Sequence, residues 1–174
     1  MGVTDGRVII TLRPVAEKDF VAYAQAFVDD PDLANLLGFE DVPQPGAAHP
    51  GEVEWAIADA ETDEFLGSIT LHSVDRKHRR GETRFWVVAA ARGHGALSEA
   101  LAQVLDYCFG EAGLERMELT ALPENKVVPL IAEKFGYAFE GTLRKRNFER
   151  GRRVDLLIWG LLADERPARE STPR

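Results

Sequence analysis

Runs of apolar and β-branched residues along the chain predict seven β-strands. The first, Arg7–Pro14, is rich in β-branched residues and stops at a proline. The second and third are joined by the short segment AETD, and the fourth follows a polar turn, which favours an antiparallel meander. The predicted strands cover residues 7–14, 53–59, 64–74, 82–88, 117–122, 139–147 and 154–162.

Apolar spacings of three and four residues predict helices between these strands. One helix lies within 15–28 and a short one over 32–37. A long amphipathic helix follows Gly95, and a fourth runs from an N-cap at Asn125 to Phe135. The order of elements predicts an α/β (α+β) domain, in which helices flank a mixed, mostly antiparallel central sheet of about seven strands.

Length and composition exclude several classes of protein. The 174 residues fit a single domain, which we place at 1–163, followed by a disordered tail at 164–174 without apolar anchors. A formal charge of -8 disfavours nucleic acid as a partner and suits a cationic or amine substrate. The lone cysteine, the histidines without ligand spacing and the absence of a long apolar run predict a cytoplasmic protein without a metal site or a membrane partner.

A glycine-containing turn between the fourth strand and the long helix is the most informative motif. Residues 92–97 read RGHGAL, and Gly93 and Gly95 let main-chain N–H groups approach an anion at the helix N-terminus. The spacing fits neither a Walker P-loop nor a dinucleotide fingerprint, because Ser98 stands where the latter needs a third glycine. The turn is therefore either a phosphate cradle or only a tight strand-to-helix connection.

Several further motifs make the chain resemble the GNAT N-acyltransferases, nearest to the ribosomal-protein N-terminal acetyltransferases. The resemblance extends from Arg7 to Leu162 and implies the GNAT fold. It rests on the glycine turn with Glu99 and Ala100 after it, and on the segments LRP (12–14), GSITL (67–71), NKVV (125–128), EKFGY (133–137) and EGTLR (140–144).

The resemblance implies acetyl-CoA, or another acyl-CoA, as co-substrate. Its pyrophosphate would be held by the amides of Gly93, His94, Gly95, Ala96 and Leu97, with a charge-assisted bond from Arg92. Its pantetheine arm would lie along the strand edge formed by Phe85, Trp86 and Val87 and reach Asn125. The amide of Val87 or Val88 would polarise the thioester carbonyl. The acceptor would be a primary amine on a protein N-terminus or a small molecule, and a homodimer is compatible with the resemblance.

The usual acid and base positions of such enzymes depart from the pattern. A tyrosine acid is replaced by Ala132, a serine acid by Val128, and a carboxylate base by Asn147. We take Glu82 and Glu149 as the candidate catalytic bases, acting directly or through water. The alternative is a catalytically silent acyl-CoA sensor or partner subunit, and a GNAT fold that no longer binds CoA is a third possibility.

Two segments are expected to wall the acceptor side of the site, the loop 39–52 and the hairpin 144–153. The hairpin also carries a cluster of basic residues in an otherwise acidic chain. These residues either form a solvated turn, or contact an acidic substrate or the 3′-phosphate of CoA from a neighbouring chain. They are Arg144, Lys145, Arg146, Arg150, Arg152 and Arg153.

Overall fold

The structure is a computed structural model that describes residues 3–4, 7–37, 51–149 and 151–167. Its strands are β1 (Val3–Thr4), β2 (Arg7–Val8), β3 (Ile10–Pro14), β4 (Val53–Asp59), β5 (Phe65–Asp75), β6 (Arg80–Val87), β7 (Arg116–Ala121), β8 (Ala138–Glu149) and β9 (Arg152–Leu162). Its α-helices are α1 (Phe20–Asp29), α2 (Leu33–Leu36), α3 (Ala96–Phe109) and α4 (Val127–Phe135).

Seven strands form one twisted sheet in the order β3-β4-β5-β6-β7-β9-β8. All neighbours pair antiparallel except β6 and β7, which pair parallel. The prediction of a mixed, mostly antiparallel seven-stranded sheet flanked by helices is confirmed. A parallel pair needs a crossover, and α3 provides it between β6 and β7.

The residues of β6 alternate between two cores on opposite faces of the sheet. Phe85 and Val87 pack in the larger core with residues of α3 such as Leu101. Trp86 points to the other face and packs with Tyr23 of α1 and neighbouring aromatic rings. The two-residue period of a strand explains this division, and it means that β6 is covered by helices on both faces.

Three regions differ from the predicted elements, and other boundaries shift by one or two residues. The first strand is divided at Ile9, which is exposed, so that β2 pairs with β1 and only β3 joins the main sheet. A 3-10 turn at Glu17–Asp19 precedes α1, which therefore begins at Phe20. Strands β8 and β9 run closer to their turn than predicted, because Glu149 still pairs with Arg152.

The segment expected to be a disordered tail makes contacts where it is described. Arg166 forms an ion pair of 2.7 Å with Asp106 and donates to the Ala102 carbonyl at 3.1 Å. Its guanidinium also lies over the ring of Phe109 at 5.9 Å. The chain up to Pro167 therefore packs against α3, while the residues after it lie outside the described residues.

A buried ion pair fixes the entry into α1. Asp19 is 2% exposed and accepts two hydrogen bonds from Arg13, at 2.7 and 2.8 Å, and one from the Ala16 N–H at 2.9 Å. The bond from Arg13 is the largest cause that lowers the pKa of Asp19 below its usual range. The ionised form of Asp19 therefore stabilises the folded conformation of the segment between β3 and α1.

We expect Asp19→Asn to destabilise the protein by about 2 kcal/mol at pH 7, because Arg13 would lose its buried carboxylate partner and keep only the more exposed Asp63. Since folding lowers the pKa of Asp19, its stabilisation is present above the unfolded-state pKa near 4 and is lost as pH falls through the folded value. Urea denaturation at pH 7 and at pH 3 measures both effects. If the difference in free energy of unfolding between the wild type and the variant were as large at pH 3 as at pH 7, the role assigned to the Asp19 charge would be wrong.

Candidate active site

Strands β6 and β7 separate after a short parallel stretch. Their pairing ends at Glu82 and Glu118, although β6 continues to Val87 and β7 to Ala121. Beyond that point, the main-chain groups on the facing edges of the two strands do not pair with each other. A cavity of about 670 Å³ occupies the opening, and it lies within the range of roughly 300–1,000 Å³ that is typical of small-molecule sites.

The register of β6 on β5 decides which main-chain groups face this opening. The Val88 N–H donates to the Leu66 carbonyl of the β5 side at 2.8 Å. Because hydrogen-bonded positions alternate in an antiparallel pair, Trp86 also bonds towards β5, whereas Phe85 and Val87 point their N–H and C=O groups into the opening. The main chains of Trp86 and Val88 are therefore engaged by β5; Trp86 lines the cavity, whereas Val88 does not.

The glycine turn opens at the end of this cavity, which Arg92 and Leu97 line. Gly93 and Gly95 have φ angles of 79° and 82°, a left-handed conformation that glycine adopts without strain. The first intrahelical bond runs from the Glu99 N–H to the Gly95 carbonyl, so the amides of residues 93–97 precede it. A Cβ placed on Gly93 would meet nothing within 4 Å, so the space beside this residue is open. The turn fits a phosphate group.

Two contacts hold the turn in place. The Val8 N–H donates to the His94 carbonyl at 3.0 Å, so β2 fixes the backbone direction without using an outward-facing amide. Arg92 forms an ion pair of 2.5 Å with Asp30, at the end of α1. Its guanidinium therefore has a carboxylate partner, and this pair joins the end of α1 to the turn.

Asn125 caps α4 as predicted and lines the cavity. Its Oδ1 accepts hydrogen bonds from the N–H groups of Val127 at 2.9 Å and Val128 at 3.1 Å. The amide NH₂ group is left as its donor. Val128 also lines the cavity and Ala132 is buried in the core, so neither of these two positions supplies a proton.

Glu82 lies where β6 and β7 begin to separate, and its side chain lines the cavity. The Thr120 hydroxyl of β7 donates to its Oε1. His72 stands directly opposite Glu82 across the β5–β6 ladder, also lines the cavity, and its Nδ1 lies 3.0 Å from the Ser73 hydroxyl. Burial lowers the pKa of His72, an effect that the charge of Glu82 opposes. The carboxylate of Glu82 therefore lies beside the imidazole of His72, which is neutral at pH 7.

The sequence interpretation missed His72 and Thr120 as neighbours of Glu82. The pairing of His72 with Glu82 could have been predicted from the sequence. The short turn at 75–81 sets the register of the two strands that it joins, and this register places the two residues opposite each other. No comparable signal existed for Thr120, because β7 pairs with β6 only through a crossover of some thirty residues.

The second candidate base lies elsewhere. Glu149 is at the end of β8, accepts a hydrogen bond from Asn147 Nδ2 at 3.2 Å, and is absent from the cavity lining. Asn147 itself lines the cavity, together with Leu143 and Arg146 of the same strand. The hairpin thus contributes to the cavity through β8. Of the loop expected to form the other wall, residues 39–50 lie outside the described residues.

The described part of the chain has neither a metal-binding cluster nor a membrane-spanning helix. It holds no group of three or more His, Cys, Asp or Glu residues arranged to bind a metal ion. None of its helices is long and apolar enough to cross a membrane.

Comparison with known proteins gives matches to acetyltransferases. The family described as Acetyltransferase (GNAT) domain matches residues 10–138. The uncharacterized N-acetyltransferase YoaA of Bacillus subtilis is 26% identical over 165 residues, which cover 88% of this chain and 93% of YoaA. The ribosomal-protein-serine acetyltransferase of Escherichia coli is 24% identical over 103 residues, which cover 59% of this chain and 57% of that protein. Mycobacterium smegmatis RimJ in complex with CoA-disulfide superposes with a TM-score of 0.78 at 25% identity, covering 91% of this chain and 86% of the RimJ chain.

Proposed function

Because the chain belongs to the GNAT acetyltransferase family, we propose that it is an acyl-CoA-dependent N-acyltransferase that moves an acetyl group from acetyl-CoA to a primary amine. Within the family it falls with the ribosomal-protein acetyltransferase-like members. The proposed acceptor is a protein N-terminus or a small amine, which attacks directly while both substrates are bound. The cytoplasm is the proposed location, and a homodimer the proposed assembly.

The opening between β6 and β7 is the observation that carries this proposal. The main-chain groups of Phe85 and Val87 face it without a strand partner, and such groups are satisfied when an extended chain of amides is added at the edge. Acyl-CoA supplies an activated thioester at the end of an arm of this kind. The cavity extends along this edge to the glycine turn, where Arg92 and Leu97 line it, and this suits a molecule with a pyrophosphate at one end and a thioester at the other.

Each part of the site then has a proposed role in binding. The five amides from Gly93 to Leu97 bind the pyrophosphate, helped by the dipole of α3. Phe85 and Val87 bind the arm through their main chains, and the amide NH₂ group of Asn125 donates to it from the opposite wall. Arg92 contributes as the residue that anchors the turn to Asp30.

The proposed chemistry needs two groups of this chain at the reacting atoms. Glu82 takes a proton from the acceptor ammonium, directly or through water, and the Val87 N–H donates to the thioester carbonyl oxygen. No acid is assigned to the leaving sulfur, because Val128 and Ala132 are apolar. A thiol with an ordinary pKa of about 8.5 leaves as a thiolate at modest cost, so a dedicated acid is dispensable.

A silent acyl-CoA binder is the second candidate function. The apolar residues Val128 and Ala132 favour it, since a protein that only senses acyl-CoA needs the cradle and the open strand edge but no acid. Turnover separates this candidate from the enzyme.

Calorimetric titration with acetyl-CoA, free CoA and succinyl-CoA tests the proposal. We expect micromolar binding of acetyl-CoA, about -8 kcal/mol, and release of free CoA thiol when peptides with free N-termini or small amines are added. Binding without thiol release from any acceptor would favour the silent binder. If none of the three ligands bound, neither function would stand.

A further inference from the structure

The face of the sheet opposite α3 and α4 continues the cavity beyond Glu82. On β7, Met117 and Leu119 belong to the core, so the intervening Glu118 and the following Thr120 point to the other face. Ile158 pairs with Thr120 and therefore lies on that same face.

An apolar floor extends this face across β9 to β8. It consists of Leu143, Leu156 and Ile158, which are half-buried and line the cavity. Leu156 lies two residues before Ile158 on β9 and pairs with Leu143 on β8, so all three residues share one face. The floor leads from the carboxylate of Glu82 towards the basic hairpin.

A basic rim borders the far end of this floor. In the described part of the hairpin, no ion pair engages any of its members, although the whole chain carries a charge of -8. The basic rim consists of Arg146, which lines the cavity, and Arg152, which lies two residues before Val154 on the face of β9 that carries Leu156. Arg153 points to the other face, where its guanidinium lies over the Phe148 ring at 5.6 Å.

The position of Arg146 is set by an irregularity of β8. The register between β8 and β9 shifts between Leu143 and Asn147, and Lys145 there has a φ angle of 53°. The Lys145 N–H donates to Asp155 Oδ1 at 2.7 Å, which fixes the irregular segment to β9. Arg146 is exposed and lines the cavity as a result.

The two other carboxylates that line the cavity, Glu118 and Asp30, are paired with arginines. Glu118 accepts from Arg116 at 2.8 Å and pairs with Arg80 at 3.3 Å. Asp30 likewise pairs with Arg92. A carboxylate at one end of the floor and guanidinium groups at the other therefore define its charge pattern, which differs from the uniformly acidic surface that the net charge suggests.

Resting on the proposed function, we propose that the acceptor is a polypeptide N-terminus with acidic residues shortly after it, whose amine reaches Glu82 while its acidic side chains bind Arg146 and the basic rim. Asn147 pairs with Val154, four residues along β9 from Ile158, and β8 lies two strands from β7. The distance from Thr120 to this end of β8 is therefore on the order of 15 Å. An extended peptide of about five residues spans it, and a free amino acid does not.

Matched peptides test the surface. Eight-residue acceptors would share their N-terminal residue and carry Glu, Gln or Lys at positions three to six. We expect kcat/KM to be about tenfold higher for the Glu peptide than for the Lys peptide, and the difference to shrink with added salt, as for charges at an interface rim. Free amino acids should react less well than the Glu peptide. Equal rates for the Glu and Lys peptides would overturn the proposal.

A charge reversal assigns the effect to Arg146. Arg146→Glu should abolish the preference for the Glu peptide. Lys77→Glu is the matched control, since it makes the same change of charge on the exposed turn between β5 and β6, at the opposite end of the sheet from the hairpin turn, and should preserve the preference. If Arg146→Glu instead weakened the binding of CoA but not of 3′-dephospho-CoA, the basic rim would bind the CoA 3′-phosphate and the proposal would be wrong.

A binding readout keeps the inference separate from the proposed function. The Glu peptide with an acetylated N-terminus and a fluorescent label at its C-terminus should bind the wild-type protein more tightly than it binds Arg146→Glu, as measured by fluorescence anisotropy. Such binding in a protein that transfers no acetyl group would leave the inference intact and refute the proposed activity. Acetyl transfer without selective binding of the Glu peptide would support the proposed activity and refute the inference about the acceptor.

Discussion

Glu82→Gln lowers kcat/KM for acetyl transfer by about 10²- to 10⁴-fold, the range expected when a general base is removed. The substitution keeps the size of the side chain and an oxygen able to accept from Thr120, so the junction of β6 and β7 should persist. Acetyl-CoA affinity should stay unchanged, because Glu82 lies on the acceptor side of the strand edge. Thiol-release kinetics and calorimetry on the same preparation measure the two quantities.

Glu149→Gln is the matched control for that substitution. Glu149 is the other carboxylate that the sequence offered as a base, and it contacts Asn147 without lining the cavity. Full activity is expected for this variant. If Glu149→Gln were the inactive variant and Glu82→Gln the active one, the assignment of the base would be refuted.

A second large effect is expected at the glycine turn. Gly93→Glu should weaken acetyl-CoA binding by about 100-fold, or about 2.7 kcal/mol, because it sets a carboxylate beside the proposed pyrophosphate site. Two unit charges 4 Å apart near a protein surface interact by about 4 kcal/mol, so repulsion of this size is reasonable. The new side chain has room, since a Cβ there meets nothing within 4 Å.

Gly93→Gln separates charge from backbone strain. Both side chains force a residue with a Cβ into a φ angle of 79° and both have nearly the same volume, so they share the cost of strain. Gln should therefore weaken binding much less than Glu. Calorimetry gives the affinities and thermal denaturation confirms that both variants fold. Identical acetyl-CoA affinity in wild type and Gly93→Glu would mean that the turn is only a structural connection.

The elements of the fold could be predicted because each is specified by local pattern. The apolar face of the amphipathic helix α3, which includes Leu101, Leu105 and Cys108, is buried, and Gly136 ends α4 in the left-handed conformation. The meander from β4 to β6 follows from short polar turns, which allow only neighbouring antiparallel strands. Pairing of strands distant in sequence leaves no such local trace, and the placement of β9 between β7 and β8 belongs to that class.

The site divides in the same way. Local sequence was enough for the glycine turn and for Asn125, because a left-handed turn and an N-cap depend on a few consecutive residues. It was not enough to distinguish Val87 from Val88, since the direction of an amide depends on which positions of β6 bond to β5. It also could not decide between Glu82 and Glu149, whose distance from the cavity depends on the whole sheet.

Residues close together along the chain were thus enough to predict the secondary structure, the glycine turn and the family. Three other features depend on the folded sheet: the point where β6 and β7 separate, the position of His72 and Thr120 beside Glu82, and the position of Arg146 at the cavity of a protein of charge -8. These features arise from contacts between strands that the chain brings together from far apart. Their geometry is fixed by sheet register and packing, which no single segment encodes.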